Sequence, residues 1–351
     1  MEYNEIRYKK PAYPLKAHLR DHLRQYSRLE TLPVSYDDLL HVKETIPNYD
    51  EDGKNTLWYS AIYDQSETED LHRSLIQVYQ KLVNEGDPIP YLSIARIDFC
   101  SFGNSKPFRI MVMNEINDNY DYFYIKRADA SRIYGLELEE IFSPDKVNYI
   151  VHQQTLIEEH VVGVPVDEFI LENKNIQIVN RLRFAKEFVK FNERTFARLL
   201  GDMRAYNFVV EITRDFDNVQ YRLRAMDFDQ QSYEGRMNLY KPQFYKDNLE
   251  LVKLVQELMT EDVALQYQKM ERVAMKKRFL ASKRRTMSLL RHMMRDKLSS
   301  KENLTQLKAE LAKFHKDERI LKARNMGDLL NMHLEKMLGV LILTKPIPVN
   351  R

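Results

Sequence analysis

Leu92-Ser93-Ile94-Ala95-Arg96-Ile97-Asp98-Phe99, Phe108-Arg109-Ile110-Met111-Val112-Met113 and Tyr120-Asp121-Tyr122-Phe123-Tyr124-Ile125 are three short runs, alternating or apolar, with turn residues between them. Their period of two and tight connections predict an antiparallel meander. Ile133, Leu136, Glu137, Glu140 and Ile141 then fall at helical spacing. Asn148–His152 and Thr155–Val162 are two more strand candidates. Together these segments predict a five-stranded sheet interrupted by one helix, over 91–165.

Outward from that sheet the pattern changes. On the N-terminal side, 1–90 reads as a mainly helical extension, with helical spacing at Tyr36–Leu40 and Glu69–Tyr79 and one aromatic strand candidate at Asn55–Tyr63. On the C-terminal side, 166–351 reads as helical, beginning with a long helix over Ile176–Leu200. Asn207–Ile212 and Tyr221–Met226 are expected to form a hairpin across the polar turn Thr213–Asn218. From about 241 to 340 the chain is helical, Met-rich and basic. The expected class is α+β, a small antiparallel sheet region followed by a large helical one.

A length of 351 residues accommodates two or three such regions and a substantial core. Apolar residues make up 44% and charged residues 30%, with only 9 Gly, so a low-complexity or Gly-rich architecture is excluded. No apolar run approaches the roughly 18 residues that a membrane span needs. The first ten residues lack the apolar stretch of a secretory signal. The single Cys100 can form no internal disulfide, and Cys and His show no metal-ligand spacing. The expected location is the cytoplasm.

Chemistry concentrates in Asp202-Met203-Arg204-Ala205-Tyr206-Asn207 and Asp227-Phe228-Asp229. A loop carboxylate can orient or deprotonate a hydroxyl, while an amide oxygen and further carboxylates suit a hard cation. The predicted hairpin brings Asn207 and Asp227 together, with Asp229 as a third oxygen donor or a structural cap. Lys126 ends the aromatic strand, where a cation would face a phosphate. Its expected partner is a glutamate of the next helix: Glu137 and Glu140 share a face, and Glu140 is favoured by distance along the chain. Between the first two strands, Ser101, Gly103, Asn104 and Ser105 offer hydroxyl, amide and backbone donors to a phosphate, although no Gly-Lys-Ser/Thr loop is present.

Three segments carry a resemblance. Leu156–Val166, with its apolar strand, acidic residue and Gly163-Val164-Pro165, resembles the last sheet strand and hinge of the aminoglycoside and choline kinase-type branch of the protein-kinase-like phosphotransferases. Leu200-Gly201-Asp202 through Asn207-Phe208 resembles the catalytic loop of that branch, and Ala225-Met226-Asp227-Phe228-Asp229 resembles its metal-binding segment. The resemblance covers roughly 91–235 and implies a two-lobed kinase-like fold with an N-terminal extension and extra C-terminal helices. It implies Asp202 as catalytic base, Asn207 and Asp227 as Mg²⁺ ligands with Asp229 as a further oxygen, and Lys126 as the phosphate-pairing lysine. Backbone groups around Glu158 and His160 would bind adenine. The implied activity is ATP- and Mg²⁺-dependent phosphoryl transfer to a hydroxyl of a small-molecule or protein acceptor. Leu200 stands where the branch carries histidine, and the phosphate loop is Gly-poor. Both departures admit a catalytically weak, nucleotide-binding pseudokinase that acts as an interaction module.

Arg272–Lys297 holds ten basic residues against Glu271 and Asp296, interleaved with Met275, Phe279, Leu280, Leu289 and Met293. Such a stretch suits an anionic partner, including nucleic acid, or else a solvated face over a Met-lined core. A nucleic-acid-associated helical protein is the third reading of this chain.

Overall fold

The computed structural model describes residues 10–50, 52–101, 105–172, 181–215 and 218–343. The chain divides into two compact units. The first runs up to Asp129 and takes in Val147–His160; the second comprises Ala130–Lys146 and the residues from Val161 on.

The first unit opens with α1 (Ala17–Gln25), followed by β1 (Glu44–Tyr49), β2 (Asn55–Ile62) and α2 (Gln65–Asn84). The meander β3 (Leu92–Cys100), β4 (Phe108–Asn114) and β5 (Asn119–Arg127) follows as expected. The second unit then contributes α3 (Ala130–Phe142), and the chain returns to the sheet with β6 (Tyr149–His152) and β7 (Thr155–Glu159). All seven strands form one antiparallel sheet in the order β1-β2-β3-β4-β5-β7-β6. The strand candidate Asn55–Tyr63 is present as β2, while β1 was not expected; together they lengthen the sheet from five strands to seven, so 1–90 is not mainly helical.

Alternation drives the packing of this sheet. Phe108, Ile110 and Val112 of β4 and Phe123 and Ile125 of β5 point to one face, where α2 lays Leu75, Val78 and Leu82 against them. Those three α2 residues follow the i, i+3, i+7 spacing of a single helical stripe. Each fully buried aliphatic side chain contributes about 1.5–3 kcal/mol. Asp98 is buried and is held by Arg96, Arg109 and Asn48, so this carboxylate is consumed as a structural anion.

In the second unit β8 (Val164–Pro165) and α4 (Val166–Glu172) precede α5 (Arg181–Arg198). The predicted hairpin is present as β9 (Phe208–Asp215) and β10 (Asn218–Ala225), in the sheet order β10-β9-β8. Five further helices follow: α6 (Leu249–Leu258), α7 (Glu261–Ala281), α8 (Lys283–Met293), α9 (Lys301–His315) and α10 (Met326–Leu338). No described helix is long and apolar enough to cross a membrane.

Helix α3 is buried almost throughout, polar residues included. Buried charge requires a counter-charge, and α3 finds its own within the helical unit. Arg198 of α5 binds Glu139, and Arg285 of α8 binds both Glu137 and Glu140.

Candidate functional site

The loop after α5 is fixed from three directions. Leu199 and Asp202 both adopt left-handed backbone, with φ of 53° and 56°. Gln231 Nε2 donates to the carbonyls of Arg198 (2.6 Å) and Leu199 (3.3 Å), and the Ser232 N–H donates to Leu199 O at 2.8 Å. Leu200, where a histidine was expected by resemblance, is fully buried and bridges Gln231. The Asp202 N–H donates to the hydroxyl of Tyr245 (3.0 Å), which in turn donates to Leu239 O.

Asn207 closes this loop on itself. Its Nδ2 donates to Asp202 O at 2.7 Å and lies 3.3 Å from Asp202 Oδ2. The Met226 N–H donates to Asn207 O at 3.1 Å, so the hairpin does join the Asp202 loop to the strand exit that carries Asp227. Burial raises the pKa of Asp202 above the ordinary carboxylate value, against the opposing pull of Arg204 and the Asn207 bond. Arg204 spans Asp202 (3.1 Å) and Asp247 (3.3 Å). Glu234 is also raised, by burial and by the nearby Asp202 charge.

At Asp227-Phe228-Asp229 the structure departs from the expected metal centre. Arg132, in the first turn of α3, reaches both carboxylates through one nitrogen: Nη1 lies 2.8 Å from Asp227 Oδ1 and 2.9 Å from Asp229 Oδ1. Its Nη2 donates to Met226 O at 3.2 Å, and the guanidinium lies over the Phe228 ring. The Asp229 N–H also donates to Asp227 Oδ1. Gly135, one turn further along α3, makes this approach possible, because a Cβ there would lie 2.9 Å from Phe228 Cβ.

Mg²⁺ demands near-octahedral oxygen ligation at about 2.0–2.1 Å. Among the described residues no group of three or more His, Cys, Asp or Glu side chains is arranged to hold a metal ion. The carboxylate oxygens that would share a cation already share the Arg132 guanidinium, whose side chain is only 4% exposed. A Mg²⁺ at Asn207, Asp227 and Asp229 would have to displace Arg132 from the two Oδ1 atoms.

The remaining expected residues belong to both units. Lys126 belongs to the sheet unit and pairs with Glu158 of β7 at 2.6 Å, both buried. Glu140, the expected partner of Lys126, is in the helical unit, where Arg285 binds it at 2.8 Å. The main-chain donors assigned to adenine are also committed, since the Glu159 N–H donates to Asn148 O and the His160 N–H to Tyr122 O. Strand β7 is paired on both sides, by β5 and β6, which uses up its backbone. The His160 ring lies 3.2 Å from the Tyr124 hydroxyl. Ser101 is exposed at the end of β3, and Gly103 lies outside the described residues.

The basic stretch is sorted in the same way. Arg272 binds Glu193, Arg278 binds Glu271 and Arg285 binds Glu137 and Glu140, so the arginines spaced by six or seven residues are counter-ions to buried acids. Lys277, Lys283, Arg284, Arg291, Arg295 and Lys297 are exposed.

Sequence reasoning missed Arg132, Arg285, Gln231 and Tyr245. Arg132 alone left a signal, as a cation in the first turn of a helix, where the N-terminal dipole disfavours positive charge. Comparison with known proteins finds no matching family and no similar curated protein.

Proposed function

We propose that this chain is a divergent kinase-like module that works by binding and not by phosphoryl transfer. One observation carries the reading: Arg132 occupies the shared side of Asp227 and Asp229, the carboxylates on which Mg²⁺·ATP would depend. The guanidinium thus stands against both carboxylates and ties the strand exit to α3. The main-chain pairing of β7 on both sides supports the same conclusion. The kinase-like layout itself rests on the segment resemblance and on the order of a small antiparallel sheet followed by a helical region with its hairpin.

An active ATP- and Mg²⁺-dependent phosphotransferase is the second reading, favoured by the Asp202–Asn207 clasp. There the base sits in a loop anchored at both ends, and burial makes its carboxylate a stronger proton acceptor. A coupled assay of ADP formation in Mg²⁺ and ATP, on the full chain and on Asp202→Asn, separates the two. The binding reading requires equal background rates for both proteins. An Asp202-dependent rate would overturn it in favour of the transferase.

A further inference from the structure

We infer that the outer face of α7 is a docking seam for an amphipathic helix of a partner protein with acidic residues along one flank. Helix α7 turns Glu271, Met275 and Phe279 inward at i, i+4 and i+8. On the opposite face Val263, Met270, Val273 and Leu280 are between 37% and 55% exposed. Their separations are seven, three and seven residues, and Gln266 and Lys277 fill the remaining positions of the same repeat. At about 100° per residue the four apolar side chains fall within an arc of roughly 100°. A seven-residue repeat of this kind lets a second helix follow the first. Apolar residues on both faces distinguish α7 from a helix that only covers a core.

Charge selects the occupant. Along one edge of the seam Asp262 opens a row that continues with Lys269 and Lys276, and Lys283 begins the next helix. Lys269 and Lys283 are exposed and make no hydrogen bond or ion pair among the described residues, while Lys276 only reaches Gly339 O at 3.5 Å. The other acid of α7, apart from Glu261 and Asp262 in its first turn, is the buried Glu271. An incoming helix therefore meets a flank that is basic over most of its length, and acidic flank residues complement it. A lipid surface fits less well. The seam carries no exposed aromatic anchor, and Gln266 and Lys277 lie within it, where polar residues fix the register of paired helices but oppose insertion among acyl chains.

The probe is a fluorescein-labelled four-heptad peptide with Leu at core positions and Glu on both flanks, which keeps it from pairing with itself. Fluorescence anisotropy against the full chain should show saturable binding, weakened at least about tenfold, or roughly 1.4 kcal/mol, by Val273→Glu and by Lys269→Glu/Lys276→Glu. All three positions face solvent, and an unchanged circular dichroism melt confirms that the variants fold. Binding unaffected by these substitutions would overturn the inference, as would equal binding of a scrambled peptide of the same composition. It would also fall if vesicles rich in phosphatidylserine bound the chain through Val273 while the peptide did not bind.

Discussion

Replacing Arg285 with Met should be among the most damaging single changes in the helical unit. The guanidinium donates to Glu137 through Nε (3.1 Å) and Nη2 (2.7 Å), and to Glu140 through Nη1 (2.8 Å) and Nη2 (2.9 Å). The Glu137 side chain is wholly buried, so loss of Arg285 removes the guanidinium from a carboxylate that water does not reach; Glu140 retains 20% exposure and recovers hydration. Breaking a buried pair from one side costs about 3–5 kcal/mol. Removing the exposed arm alone, with Glu140→Gln, costs about 1 kcal/mol. The double change Arg285→Met/Glu137→Met replaces the pair by apolar volume and should recover most of the loss. For a unit of this size the single change corresponds to a fall in Tm of about 10 °C. Helical ellipticity reports this transition, while fluorescence of the only tryptophan, Trp58 in the sheet unit, follows the other unit independently. A loss below about 1 kcal/mol in Arg285→Met, or a double variant no better than the single, would refute the argument that these glutamates are structural anions.

Three other expectations follow from the same geometry. His333 is buried, and its Nε2 donates to Phe196 O while Nδ1 lies 2.8 Å from His315 Nε2; burial lowers both rings, His315 to about 4 and His333 to about 3. The folded state thus binds fewer protons than the unfolded one below the ordinary histidine value. Stability should fall as pH drops from about 6.5 toward 4, by up to about 1.4 kcal/mol per pH unit for each ring. A shallower slope in His315→Gln, measured by urea unfolding, checks this; an unchanged slope rejects it. Gly135→Ala should cost about 1–3 kcal/mol by driving α3 from Phe228, seen as faster amide exchange at Phe228 and Asp229, and a neutral substitution would contradict the close approach. In Asp202→Asn the titration of Glu234, followed by carboxyl carbon NMR, should move down toward the ordinary glutamate value; an unmoved titration means that the two carboxylates do not interact.

The meander, the hairpin and the long helices were legible in the sequence because each is written in local periodicity. Strand β1 was not. Glu-Thr-Ile-Pro-Asn-Tyr does not alternate, is largely exposed, and carries Pro47, which only an edge strand tolerates. It exists because β2 offers it a partner, and such pairing has no local signature. Asp202 and Asn207 were legible as candidate site residues from their spacing, but the bond that clasps them was not. The pairing of Glu140 with Arg285 was not legible in this way, because Arg285 lies 145 residues away in a stretch whose many cations are indistinguishable until the helices pack. The same holds for Arg132: sequence placed carboxylates at 227 and 229 but could not show which cation would answer them.

The account stands on that answer. Electron paramagnetic resonance of free Mn²⁺, titrated against the full chain and against Arg132→Ala, reads it directly. The intact protein should leave Mn²⁺ free, and removal of the guanidinium should create a site that Asp227→Asn abolishes. Arg132→Lys serves as the control for folding, keeping a cation at the position and the site closed. Mn²⁺ bound by the intact protein in an Asp227-dependent manner, or no gain in Arg132→Ala, would contradict a phosphotransfer centre closed by Arg132.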